Sequence, residues 1–123
     1  MTQKLTIERY KWLRGTGPWD SVLWNPYKNK GCCLGHACIK LFSIVEKNIY
    51  GVATPIIIYK DLPEHNFMVD KNITINNQHT YSNSFFTKKA TDINDYVGLC
   101  DAEREAKLIE LFKTVDVELS FVD

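Results

Sequence analysis

Residues 31–47 read GCCLGHACIKLFSIVEK. The apolar side chains of this stretch recur with a period of about 3.6 residues, which is typical of a helix with one buried face. We therefore predict a helix over residues 33–47, with Lys40 and Lys47 facing solvent. The predicted buried stripe consists of Leu34, Ala37, Cys38, Leu41 and Val45.

The segments on either side of this helix predict a mixture of helices and strands. Residues 5–14 have apolar side chains at helical spacing, and Gly15 follows as a natural helix end. Residues 21–24 form a short apolar run that indicates an extended piece. Residues 52–60, 66–70 and 71–77 are rich in β-branched or apolar side chains and indicate strands.

Further along, residues 76–89 are mostly polar and predict a loop with one possible strand at 84–87. A short helix capped by Thr91 or Asp92 and a longer one capped by Asp101 should follow, and alternation over residues 115–122 predicts a last strand. No repeat or linker divides the chain. We expect one α+β domain over residues 1–123, with three to four helices packed on a small, mostly antiparallel sheet built from the middle and the C-terminal tail.

Composition excludes several classes of function. Fifteen basic and fifteen acidic side chains give 123 residues a net charge of zero, so no global field attracts nucleic acid, and we expect none as a partner. The longest apolar run, residues 55–59, is far shorter than the roughly 20 residues that cross a bilayer. The N-terminus is charged and lacks an apolar signal segment, so we expect a cytoplasmic protein without a membrane partner.

The cysteine-rich start of the predicted helix allows three kinds of chemistry. A thiol at a helix N-terminus can be activated, which makes Cys33 a candidate nucleophile with His65 as its base, in a hydrolase or transferase. A metal site could use His36 with Cys32 or Cys33, but paired CxxC spacings are absent. The third alternative is structural, with Cys33 and Cys38 filling the core.

Two glycines belong to the same structural alternative. Gly31 and Gly35 would permit close packing of this turn against another element, because they have no Cβ.

We expect no metal site and no cofactor.

A group of aromatic and basic residues suggests a binding site for a small ligand, such as a nucleotide-like molecule. Trp19, Trp24 and Lys28 lie close together in the sequence, and indole rings and lysines can stack on and clamp such a ligand. His36 lies on the opposite side of the predicted helix from the apolar stripe and is a fourth candidate. The alternative is that the tryptophans belong to the core.

Several of these motifs together resemble a group of small phage and prophage proteins of unassigned function. The resemblance is carried by the Trp12 to Trp24 stretch, by CCLG at residues 32–35 followed by Ala37 and Cys38, by INDYVGL at residues 93–99 and by LIEL at residues 108–111. It covers roughly residues 7–47 and 91–122 and leaves the middle uncovered.

The resemblance implies an accessory role of a mobile element, without catalysis, such as binding a host protein or countering a host defence. It implies no catalytic residue, and the sequence pattern of that group contains no histidine that matches His65. We expect binding through Trp19, Trp24, Lys28 and the polar loop at residues 76–89.

Overall fold

The N-terminal segment is a strand, because its apolar residues alternate with polar ones. In the computed structural model, which describes residues 2–17, 21–73, 76 and 78–123, strand β1 spans Gln3–Glu8. Leu5 and Ile7 are fully buried while their neighbours face outward. A 3-10 turn at Arg9–Lys11 follows. The helix predicted over residues 5–14 is therefore wrong, since the period of two outweighs the helical spacing of Trp12 and Leu13.

Strand β1 pairs with the other end of the chain. Strand β4 spans Val117–Val122 and runs parallel to β1, with Leu5 opposite Leu119. Val117 and Leu119 face the core in the alternation that predicted this strand. Residues 3–8 and 117–122 thus lie side by side.

A second two-stranded sheet forms from the middle of the chain. Strand β2 spans Val69–Ile73 and strand β3 spans His79–Asn83, in an antiparallel hairpin. The described strands therefore form two separate sheets, one parallel and one antiparallel, instead of the single mostly antiparallel sheet that we expected. The expected strand at residues 52–60 is wrong as well, because Pro55–Asp61 coils into a kinked 3-10 helix with Pro55 at its first turn.

Three α-helices complete the described part of the α+β fold. Helix α1 spans Cys33–Leu41, helix α2 spans Phe85–Asp95 and helix α3 spans Asp101–Lys113. Helix α2 begins earlier than predicted, because Ser84 caps it by accepting a hydrogen bond from the Thr87 backbone N–H at 3.1 Å. No helix in the described ranges is long and apolar enough to cross a membrane.

Helix α1 starts where the sequence predicted but ends six residues early. The chain leaves the helix at Phe42, and Ser43 adopts a left-handed φ of 56°. Lys40 and Lys47 are exposed as expected, Leu41 is only partly buried, and Val45 is 55% exposed instead of buried. The predicted stripe therefore holds only over Leu34, Ala37 and Cys38.

The first two turns of α1 are buried on all sides. All residues from Cys33 to Cys38 are buried, because β1, α2 and the segment before Trp24 pack around the helix. A Cβ on Gly35 would lie 1.7 Å from the carbonyl oxygen of Leu23, and one on Gly31 would lie 2.3 Å from the same atom. This confirms the expectation that these glycines permit close packing.

Candidate functional site

The cysteine motif lies in the hydrophobic core. Cys33 and Cys38 are fully buried, and Cys32 is 6% exposed. In the described residues all four cysteines are free thiols, and Cys100 is the exposed one. The structural alternative for Cys33 and Cys38 is confirmed, since both occupy small spaces between larger apolar side chains.

Burial makes these thiols poor nucleophiles. It raises the pKa of Cys32 and Cys38 to about 12 and the pKa of Cys33 well above its ordinary value. Since a thiolate is costly where water is excluded, the start of α1 does not provide enough stabilisation to offset that burial. Nucleophilic chemistry at Cys33 would need a thiol with a lowered pKa.

Cys33 and His65 do not share a cavity. His65 is exposed and lines a cavity of about 920 Å³ near the end of α1 and the β2–β3 hairpin, and Cys33 is not among its lining residues. Within the described chain, no three His, Cys, Asp or Glu side chains converge as metal ligands. The arrangement therefore offers no assembled Cys-His pair.

Of the four predicted ligand-binding residues, Trp24 and His36 meet in the interior, while Lys28 lies on the surface. Trp24 is 3% exposed and His36 is 2% exposed, and their rings meet edge to face with centroids 5.2 Å apart. Lys28 lies exposed in a turn, and Trp19 is outside the described residues. The position of His36 opposite the apolar stripe does not expose it to solvent, because all residues of α1 from Cys33 to Cys38 are buried.

Trp24 and His36 do line one small cavity. Its volume is about 120 Å³, below the roughly 300 to 1,000 Å³ of small-molecule pockets. His36 Nε2 donates to the Lys11 carbonyl oxygen at 2.9 Å, and burial lowers its pKa to about 4. A neutral imidazole that bonds the backbone fits a structural role better than a ligand clamp.

A buried asparagine that the sequence analysis did not single out joins the motif to the rest of the fold. Asn94 Oδ1 accepts from Trp12 Nε1 at 2.8 Å and from the Cys33 backbone N–H at 3.1 Å, while Asn94 Nδ2 donates to the Leu13 carbonyl oxygen at 2.9 Å. The sequence feature that pointed to Asn94 was its place in residues 93–99, one of the motifs that carried the resemblance. Three motifs of that resemblance thus meet at one carboxamide.

Two tyrosine rings stack on each other beside β3. Tyr81 stacks on Tyr59 with ring centroids 4.1 Å apart, and the Ile56 backbone N–H donates to Asn83 Oδ1 at 3.0 Å. Tyr81 and Asn83 are two residues apart on one strand, so the same face of β3 packs on the 3-10 helix.

Two further large apolar side chains that are close to these residues in the sequence are exposed. Ile57 follows Ile56 and is 62% exposed, and Phe85 follows Asn83 by two residues and is 76% exposed. We call Ile57, Tyr59, Tyr81 and Phe85 the aromatic surface. It includes two residues of the 76–89 segment that we expected to bind.

A recess opens next to the tyrosine stack. Its volume is about 270 Å³, and Tyr59, Tyr81, Leu62 and Val69 contribute apolar walls. Lys60 lies over the Tyr59 ring, with its Nζ 5.9 Å from the centroid. The recess is large enough for one side chain of another molecule but small for a whole organic ligand.

No protein-family model, curated protein or solved structure matches this chain.

Proposed function

We propose that this protein is a phage-type accessory protein that acts by binding a host protein, for example one of a host defence, through the aromatic surface. The observation that carries the proposal is the exposure of Phe85 and Ile57, at 76% and 62%, beside a stacked tyrosine pair. Large apolar side chains clustered in solvent are typical of contact sites, and aromatic anchors supply much of the energy of such contacts.

The charges around the aromatic surface favour one kind of partner. Lys60 lies over Tyr59, and Lys88 follows Phe85 by three residues, so it lies on the same side of α2. The side chain of Lys88 forms no ion pair within the described part of the chain. A host segment with an apolar anchor side chain for the recess and flanking carboxylates would complement this surface.

Binding of a nucleotide-like small molecule is the weaker candidate. The cavity beside His65 has the right volume, about 920 Å³, but its charged lining is Glu64, Asp70 and Lys71. Two carboxylates against one ammonium do not favour a phosphate. Trp24 and His36, two of the residues that suggested such a ligand, are enclosed elsewhere and do not line this cavity.

The test is affinity capture of the tagged full chain from host bacterial cells, followed by titration of the purified pair. Phe85→Ser should weaken binding by about tenfold or more, because it removes an exposed anchor. Tyr27→Ser is the matched control, since Tyr27 is 97% exposed but lies outside the aromatic surface. Equal affinity of the Phe85 variant and the control, or copurification of a small molecule without a protein, would contradict the proposal.

A further inference from the structure

Helices α2 and α3 enclose a groove that the proposed function does not use. They are joined by residues 96–100, a connection short enough to make them antiparallel neighbours. Arg104 is 2% exposed, and its guanidinium donates to the carbonyl oxygens of Tyr96 and Leu99 at 2.8 and 2.7 Å. The connection is therefore fixed from inside, and the groove has defined walls.

The floor of the groove is apolar. Its volume is about 900 Å³, and Ile93, Tyr96, Leu99, Ala106 and Leu111 line it. At its end, Tyr96 is 60% exposed and the adjacent Val97 is 70% exposed. An open apolar groove with exposed side chains at its mouth is suited to contact with another protein surface.

The rim of the groove carries an alternating pattern of charge. Phe86 of α2 meets Phe112 of α3 with ring centroids 4.9 Å apart, which sets the relative level of the two helices. Counting from that contact, Lys89 lies within about one residue of the level of Glu110, and Asp92 lies within about one residue of the level of Lys107, about one turn closer to the connection. Each helix therefore presents one positive and one negative charge, in opposite order.

This pattern is complementary to itself. A two-fold axis in the plane of the contact, along the groove, would place Lys89 opposite Glu110 of a second copy and Asp92 opposite its Lys107. In the described part of the chain, the side chains of Lys89, Asp92 and Lys107 have no ion pair or hydrogen bond, while Glu110 contacts only Lys113, at 3.0 Å. The zero net charge removes the general repulsion between copies.

We infer that the α2–α3 groove is the contact surface of a symmetric homodimer, in which two grooves close on each other and the four rim charges pair across the two-fold axis. The part of α2 that belongs to the aromatic surface is its first turn, and no residue of the aromatic surface lines the groove. The aromatic surface therefore stays accessible in the dimer. The dimer presents two copies of that surface to its partner.

Sedimentation equilibrium of the full chain over a range of concentrations tests the dimer. The wild type should convert reversibly from 14.2 kDa to twice that mass. Ala106→Glu places a charge on the apolar floor and should weaken dimerisation at least about tenfold. Ala102→Glu is the control, because Ala102 is exposed on the same helix but does not line the groove.

A charge exchange gives the second arm. Lys107→Glu alone should weaken the dimer, since it sets two carboxylates against each other, and Asp92→Lys in the same chain should restore it. Circular dichroism confirms that each variant is folded. The proposal is overturned if the wild type stays at 14.2 kDa up to about 1 mM, which is the weakest association worth measuring. It is also overturned if Ala106→Glu and Ala102→Glu weaken dimerisation equally.

Discussion

Asn94 connects three segments of the chain through one carboxamide. Asn94→Ala leaves the Trp12 indole N–H, the Cys33 N–H and the Leu13 carbonyl without their partner. Because each unsatisfied buried group is costly, we expect a loss of about 2–4 kcal/mol in the free energy of unfolding, measured in urea. Asn48→Ala is the control, since Asn48 is exposed and should change stability by less than about 0.5 kcal/mol. Equal losses in both variants would contradict this role of Asn94.

The thiols should differ sharply in reactivity. In the folded protein, iodoacetamide near neutral pH should modify Cys100, which is exposed, and leave the other three cysteines unmodified. The reason is that burial excludes the reagent and raises the pKa of Cys32, Cys33 and Cys38. Mass spectrometry of native and urea-unfolded samples measures the pattern. Faster modification of Cys33 than of Cys100 would revive the thiol-enzyme hypothesis.

His36 should make the fold sensitive to acid. Burial lowers its pKa to about 4, below the ordinary value of about 6.5 that applies in the unfolded chain. Between these values the unfolded state binds more protons, so stability falls as the pH decreases from about 7 to about 4. His36→Gln preserves a donor toward the Lys11 carbonyl but cannot titrate.

The comparison is made by urea unfolding at two pH values. Between about pH 7 and pH 4.5, the wild type should lose about 2–3 kcal/mol more than the His36→Gln variant. Exposed carboxylates contribute equally to both proteins and cancel in the difference. Identical pH profiles would show that His36 is not enclosed as described.

At the scale of elements, α1 depends on its contact with the segment before Trp24. Gly35→Ala would place a Cβ 1.7 Å from the Leu23 carbonyl oxygen, which is backbone and cannot rotate away. We expect a loss of about 3 kcal/mol or more in unfolding free energy. Gly17→Ala is the matched control, since no atom lies within 4 Å of its Cβ position and only its φ of +76° is unfavourable. That strain costs about 1–2 kcal/mol, and a reversed order of the two variants would contradict the packing.

The sequence predicted some elements well because their signals are local. Helix α3 has acidic residues in its first turn and a clear apolar face, and β4 has strict alternation, so both lie close to their predicted bounds, although Asp101 begins the helix and does not cap it. The strand predicted at residues 52–60 was wrong. Its β-branched side chains suit a strand, but Pro55 and tertiary packing favour a 3-10 helix. Whether an apolar helix is buried on one side or on all sides depends on its neighbours. The burial of His36 could therefore not be predicted from the helical pattern.

At the scale of the whole molecule, pairing between distant segments was the least predictable feature. No local signal relates Leu5 to Leu119, which face each other in the parallel pair. The candidate site was predictable to the same limited degree: the 76–89 segment was expected to bind, but the contribution of Ile57 and Tyr59 arises only when the 3-10 helix packs on β3. The cysteine motif, which is the most conspicuous sequence feature, belongs to the interior.

The aromatic surface beside β3 carries the proposed function, and the cysteine motif has a structural role. Hydrogen–deuterium exchange of the chain, alone and in complex with the captured host protein, tests this division most directly. We expect slower exchange at Pro55–Asp61, at His79–Asn83 and in the first turn of Phe85–Asp95, with no change at Cys33–Leu41. Protection confined to Cys33–Leu41 and the turn that contains Lys28 would contradict it.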